Sequence, residues 1–189
     1  MAKIKEKKKT KEKKELERKS FKTILAGEIV TSNTQKALEL YEKSRFGELV
    51  EGKIHYSLLE ALYLLERDKI LIYEGKKKLT KNQFIEKVKK LEPNFWTKYR
   101  VFCDMRNRGY TVKTALKFGA DFRVYERGVK PGQEHARWLL FPVYESSGLT
   151  WHEFAAKTRV AHSTKKRLLI GIVDHEGDVT YYEIRWLRP

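Results

Sequence analysis

Among the residues in the second half of this 189-residue chain that could move protons or stabilise an anion, four stand out by their position. Tyr125 closes the strand-like segment DFRVY, and His135 follows a glycine-bearing loop. Lys165 and Lys166 stand together at the entrance to the apolar run RLLIGIVD. Groups at the ends of neighbouring strands can converge in space although far apart in sequence. A histidine, with a reference pKa of about 6.5, can serve as acid or base near neutrality. A lysine can stabilise a developing anion, whereas a phenol of reference pKa about 10 acts as a base only if a nearby cation lowers it. Taken singly, each has an ordinary reading. A tyrosine at a strand end is more often a packed residue with a wet hydroxyl, a loop histidine is more often a surface group, and paired lysines are more often a solvated face.

Other chemistries find less support. The sequence has no Gly-x-x-x-x-Gly-Lys-Ser/Thr segment, no strand-borne Gly-x-Gly-x-x-Gly and no His-Glu-x-x-His. The five histidines, His55, His135, His152, His162 and His175, show no metal-ligand spacing. Asp121 starts a strand, but no Glu-x-Lys follows it, so metal-dependent cleavage is disfavoured and neither a metal nor a cofactor is expected. Cys103 is the only cysteine, which rules out an intrachain disulfide; beside Phe102 and Met105 it reads as a small core residue.

Charge points to the partner. The formal net charge is +16 and the pI about 9.8, which favours a polyanion, either nucleic acid or an acidic membrane surface. Residues 1–20 contribute ten Lys/Arg against four Glu and read either as a solvated tail or as a phosphate-collecting arm. The remaining surplus belongs to the folded part. No apolar run approaches the roughly 18 residues of a membrane span, and the N-terminus lacks the apolar stretch of a signal peptide. A cytoplasmic protein with no membrane association is therefore expected.

Two units should position these residues. Over 21–93, strands are expected around Gly27 and at 70–73, with a helix over 33–45 capped by Asn33 or Thr34. Ser57–Glu60 and Thr80–Gln83 are capping-box pairs, the first opening a helix with Leu58, Leu59, Leu62 and Leu65 inward. Pro93-Asn94 is the best boundary. Over 94–189, a helix stopped by Gly109 precedes short β-rich segments, a helix capped by Thr150 and Glu153, and a closing hairpin around HEGD. The fold class is α/β (α+β): a small N-terminal α/β domain, then a C-terminal domain with a mixed central sheet flanked by helices.

The segment from Lys98 to Pro189 resembles the catalytic domain of archaeal-type tRNA-splicing endonucleases. The matching phrases are YRVFCDMRNRGYTVKTALKFGADFRVYERG, EHARWLL, RVAHSTKKRLLIGIVD and GDVTYYEIRW. The resemblance implies a nuclease-like domain with a catalytic set of Tyr125, His135 and Lys166, Lys165 standing one place early. It also implies metal-independent attack of a ribose 2′-OH on the adjacent phosphorus, leaving a 2′,3′-cyclic phosphate and a 5′-OH. In that scheme His135 protonates the leaving oxygen, Lys166 faces the phosphorane, and Tyr125 serves as base or orients the nucleophile. The implied substrate is precursor tRNA with bulge–helix–bulge junctions, a bulge base being held by Arg159 and Arg185. The implied assembly is a homotetramer, or a heterotetramer with a structural subunit, its acidic turn (Asp174, Glu176, Asp178) docking on a neighbour and its final strand pairing across a two-fold axis. Ala115 and Ala136 stand where the family commonly has glycine and serine. The runner-up is a non-catalytic RNA-binding subunit of a tRNA-processing complex; a metal-dependent DNA nuclease is third.

Overall fold

The computed structural model describes residues 20–129, 131–132 and 134–187, so the expected basic tail lies outside the described residues except for Ser20. The chain divides into one compact unit ending at Pro93 and a second beginning at Asn94.

In the first unit, β1 (Phe21–Ala26) and β2 (Ile29–Ser32) form a hairpin about Gly27. Helix α1 (Gln35–Ser44) follows, with Thr34 rather than Asn33 as its cap, accepting from the Ala37 amide. Next come β3 (Glu48–Val50), β4 (Lys53–Ser57), α2 (Leu58–Glu66), β5 (Ile70–Glu74), β6 (Lys77–Lys78) and α3 (Lys81–Leu91). Both expected capping boxes form, Ser57 with Glu60 and Thr80 with Gln83. The sheet runs β3-β4-β2-β1-β5-β6, with β1 and β5 parallel and every other pair antiparallel. Helix α2 buries Leu58, Leu59 and Leu62 as expected, but also Tyr63 and Leu64, while Leu65 is only half-buried. It is apolar on nearly every side, so a single-face pattern describes it incompletely. Its one buried charge, Glu60, accepts from the Gly47 amide at 3.0 Å and from the Ser57 amide at 3.1 Å.

The β3–β4 hairpin was not anticipated. It turns at Glu51 and Gly52, both with positive φ, which suits the two-residue connections preferred between twisted strands. The alternation of buried Ile54 and Tyr56 with half-exposed His55 is the signal that could have revealed it.

The second unit opens with α4 (Phe95–Asn107), which buries Phe95, Tyr99, Val101, Phe102 and Met105 and half-buries Cys103. Gly109, at φ +89°, ends it as expected, its amide donating to the Arg106 carbonyl. Strand β7 (Thr111–Ala115) passes through a 3₁₀ turn into β8 (Ala120–Tyr125). Then come β9 (Trp138–Tyr144), α5 (Trp151–Ser163), β10 (Arg167–Val173) and β11 (Val179–Ile184). Their order is β11-β10-β9-β8-β7, with β9 and β10 parallel and the rest antiparallel.

Strand alternation sends β10 side chains to opposite faces. Leu168 and Ile170 pack with Ala161 of α5 over Leu139 and Phe141. On the other face Gly171 lies under Val101 of α4, where an added Cβ would stand 3.3 Å from the valine methyls. The sheet is thus mixed and carries a helix on each face.

Candidate active site

The ends of three strands meet at one edge of the second sheet. Because β9 and β10 are parallel, both begin there; because β8 is antiparallel to β9, it finishes there. The Arg137 amide donates to the Val124 carbonyl and the Arg167 amide to the Arg137 carbonyl, each at 2.9 Å, fastening the three ends together. The last residue of β8, the loop before β9 and the residue before β10 therefore share one place. These are Tyr125, His135 and Lys166.

All three line a single cleft of about 310 Å³, with Phe118, Arg123, Gly132, Glu134 and Ala136. Tyr125 is 4% exposed, so its ring is held by packing. His135 is exposed, and the buried methyl of Ala136 anchors the loop beside it.

Lys166 owes its position to the way α5 ends. The Lys165 amide donates to the His162 carbonyl and the Lys166 amide to the Ala161 carbonyl, a Schellman termination with Lys165 left-handed at φ +54°. The reversal of backbone direction separates the two lysines. Lys165 is exposed, while half-buried Lys166 lines the cleft, its Nζ donating to the Thr164 carbonyl at 2.9 Å and lying 5.0 Å from the centre of the Phe118 ring. Burial, and then the positive charge of Arg123, push the Lys166 ammonium below its ordinary pKa.

Sequence reading passed over Arg123. It lies two residues before Tyr125 on the same strand, so period-two alternation alone would have put both on one face. The register also pairs it with buried Lys113 of β7.

The two arginines expected at the substrate fall elsewhere. Arg185 lines a neighbouring depression of about 170 Å³ with Lys166, Arg167, His162 and Trp186, and its guanidinium is held by Glu183 at 2.9 Å. Glu183 also accepts from Trp138 Nε1 at 2.7 Å and pairs with Arg167 at 3.0 Å. Burial would raise this carboxyl, but hydrogen bonds from Trp138, Arg185 and Arg167 bring its pKa down to about 2. Arg159 is exposed on α5; Thr158, Ala161 and His162 of the same helix line that depression, and Arg159 does not.

The acidic turn joins β10 to β11. Asp174 Oδ1 accepts from the Asp178 amide at 2.9 Å, while exposed Glu176 lies 3.9 Å from His175. The Arg100 guanidinium rests against Gly177, 2.6 Å from where a Cβ would stand, so a side chain there would have to displace it.

Among the described residues, no three His, Cys, Asp or Glu side chains converge as a metal site would require. Asp121 is paired with Lys98 at 2.9 Å. No helix among the described residues is long and apolar enough to cross a membrane.

Comparison with known proteins assigns this arrangement. Residues 95–181 match the model of the tRNA intron endonuclease catalytic C-terminal domain, and residues 21–85 match that of the tRNA intron endonuclease N-terminal domain. The tRNA-splicing endonuclease of Thermococcus gammatolerans is 47% identical over 165 residues, spanning 87% of this chain and 96% of the relative. The chain belongs to the tRNA-splicing endonuclease family. The tRNA-splicing endonucleases of Methanothermobacter thermautotrophicus, 40% identical over 87% of this chain and 96% of its own, and of Nanoarchaeum equitans, 44% identical over 75% and 94%, agree. The cleft thus lies within the catalytic domain of a tRNA intron endonuclease, and the first unit is that enzyme's N-terminal domain.

Proposed function

We propose that the cleft cuts precursor tRNA at bulge–helix–bulge exon–intron junctions by metal-independent 2′-OH transesterification. The observation that carries this reading is the gathering of Tyr125, His135 and Lys166 in one cleft of the catalytic domain. The 2′ oxygen attacks the adjacent phosphorus while its proton passes to Tyr125 or to a base that Tyr125 orients. The P–O5′ bond breaks, His135 gives its proton to the departing 5′ oxygen, and the 2′,3′-cyclic phosphate remains. Lys166 supplies positive charge to the crowded phosphorane, at a site whose partial burial strengthens that interaction.

Tyr125 takes the base role most readily beside cations, and Arg123 and Lys166 line the same cleft. Arg185 shares a depression with Lys166 and suits a flipped base that stacks on its guanidinium plane; Arg159, exposed on the helix bordering that depression, is its proposed counterpart. Two junctions in one substrate call for two sites at fixed spacing, and the family resemblance implies that a tetramer supplies them, either of this chain alone or with a structural subunit. Its contacts are the acidic turn and the exposed edge of β11. The enzyme works in the cytoplasm, where its substrate is made.

The test is incubation of the full-length protein with a bulge–helix–bulge RNA in EDTA. Cyclic-phosphate ends are expected, and a 2′-deoxy nucleotide at the cut should stop the reaction. Cleavage of the deoxy substrate, or activity abolished by chelation and restored by a divalent cation, would sink the mechanism.

A further inference from the structure

The N-terminal sheet has a face that the mechanism does not use. One side of β1 is buried through Phe21, Thr23 and Leu25, and the other carries Lys22, Ile24 and Ala26. The register sets Ile24 beside Thr31 on one neighbour and beside Tyr73 on the other. Thr31 in turn lies opposite His55, and Tyr73 opposite Lys78. A groove of about 590 Å³ runs over this surface, lined by Lys22, Lys53 and Lys76, by Tyr73, and by the polar side chains of Thr31 and Asn33. Among the described residues, no carboxylate lines it. Glu74, the residue after Tyr73 on β5, falls on the opposite face by strand alternation and pairs with Lys87 at 2.8 Å. The Lys22 ammonium lies 5.5 Å from the centre of the Tyr73 ring, and Ile24 is 55% exposed.

Cations spaced along a groove, with an aromatic ring and an exposed aliphatic surface in its floor, match a nucleic-acid strand. Phosphates would meet the lysines, and an unpaired base would stack on the tyrosine. The strand carrying Lys22 also follows directly on the segment 1–20, half of whose residues are basic. We infer that this groove of the N-terminal domain binds the RNA substrate away from the cut, taking its phosphodiester backbone on Lys22, Lys53 and Lys76 and one unpaired base on Tyr73. The inference rests on the reading of precursor tRNA as substrate, but it concerns affinity and not the chemical step.

The experiment uses the full-length protein and precursor tRNA carrying 2′-deoxy nucleotides at both junctions. Affinity is measured by fluorescence anisotropy across a salt series. Lys22→Glu with Lys53→Glu should weaken binding on the order of tenfold at 0.1 M salt and flatten the log–log salt slope by about 1.5, two phosphate contacts' worth. Lys→Arg at both positions should bind like wild type. The same charge change at Lys89 and Lys90 on α3 should leave the slope unchanged. Unchanged affinity and slope would overturn the inference, as would a weakening accompanied by a change of sedimentation, because the groove would then seat an acidic protein segment. As a second measurement on the wild-type protein, 4-thiouridine-bearing precursor tRNA should crosslink to the peptide containing Tyr73; crosslinks that omit it would also overturn the inference. Cleavage of the deoxy substrate would instead defeat the transesterification reading and leave the binding result intact.

Discussion

The two sheets of this endonuclease use the same device to different ends. Each contains one parallel pair in an otherwise antiparallel sheet, β1–β5 in the N-terminal domain and β9–β10 in the catalytic domain. A parallel pair brings two strand starts to the same edge, and an antiparallel neighbour adds a strand finish. In the catalytic domain those places hold Lys166, His135 and Tyr125. In the N-terminal domain the paired starts are Phe21 and Ile70, both buried, and the polar residues lie across a face instead. Topology supplies a meeting place, and residue type decides whether chemistry occupies it. One sheet therefore offers a point suited to a single phosphorus, and the other a track suited to a strand.

The sharpest way to break this contrast is to remove the proposed proton donor. His135→Ala should lower the single-turnover rate on a labelled precursor by about 10²–10⁴-fold, the usual worth of a positioned acid, with little change in thermal stability because the side chain is exposed. A near-wild-type rate would end the claim that the strand ends form the active site. The lysine pair offers a finer cut. Lys166→Ala should cost about 10²–10³-fold, as removal of one electrostatic stabiliser does, while Lys165→Ala should leave the rate near wild type. Equal losses at both would mean that general basicity matters and the Schellman turn does not.

A third substitution probes the other sheet. Gly47 has φ +74°, and a Cβ there would stand 2.4 Å from Ile54 Cγ2 and 2.9 Å from the His55 carbonyl oxygen. Gly47→Ala should destabilise the N-terminal domain by about 3 kcal/mol, through left-handed strain and overpacking together. Chemical unfolding would measure this. Single-turnover cleavage at saturating enzyme and low temperature should change little, since none of the described residues lining the cleft belongs to that domain.

What was legible in the sequence follows from how local each feature is. Capping boxes at Ser57, Thr80 and Thr150 bind residues three apart, and all three form where the pattern placed them. The Gly109 helix stop and the hairpin after Val173 are equally local. The β3–β4 hairpin escaped because its strands are short and its turn uses Glu51 in a left-handed conformation more usual for Asn or Gly. Tyr125, His135 and Lys166 carried no local signal. Their convergence depends on one parallel and one antiparallel pairing, which only a family resemblance or a structure can supply. Arg123 stands between these cases: its nearness to Tyr125 follows from strand alternation, but its effect on Lys166 across the cleft does not.

That effect gives the smallest of the expected changes. Burial and the Arg123 charge both disfavour the charged form of Lys166, so its ammonium loses its proton at a lower pH than an ordinary lysine. If the charged form supports the phosphorane, the rate is sustained below this lowered pKa and falls as pH rises through it. The acid step on the natural substrate carries a pH dependence of its own. A substrate with sulfur at the bridging 5′ position removes it, because a thiolate leaves without protonation. With it, the alkaline limb should lie below the pH of an unperturbed lysine, and Arg123→Gln should move it upward by deleting a like charge. The height of the plateau falls as well if Arg123 also touches phosphate, but height and position are separate readouts. A limb that stays in place would mean Arg123 does not act on Lys166, leaving burial as the cause of the shift.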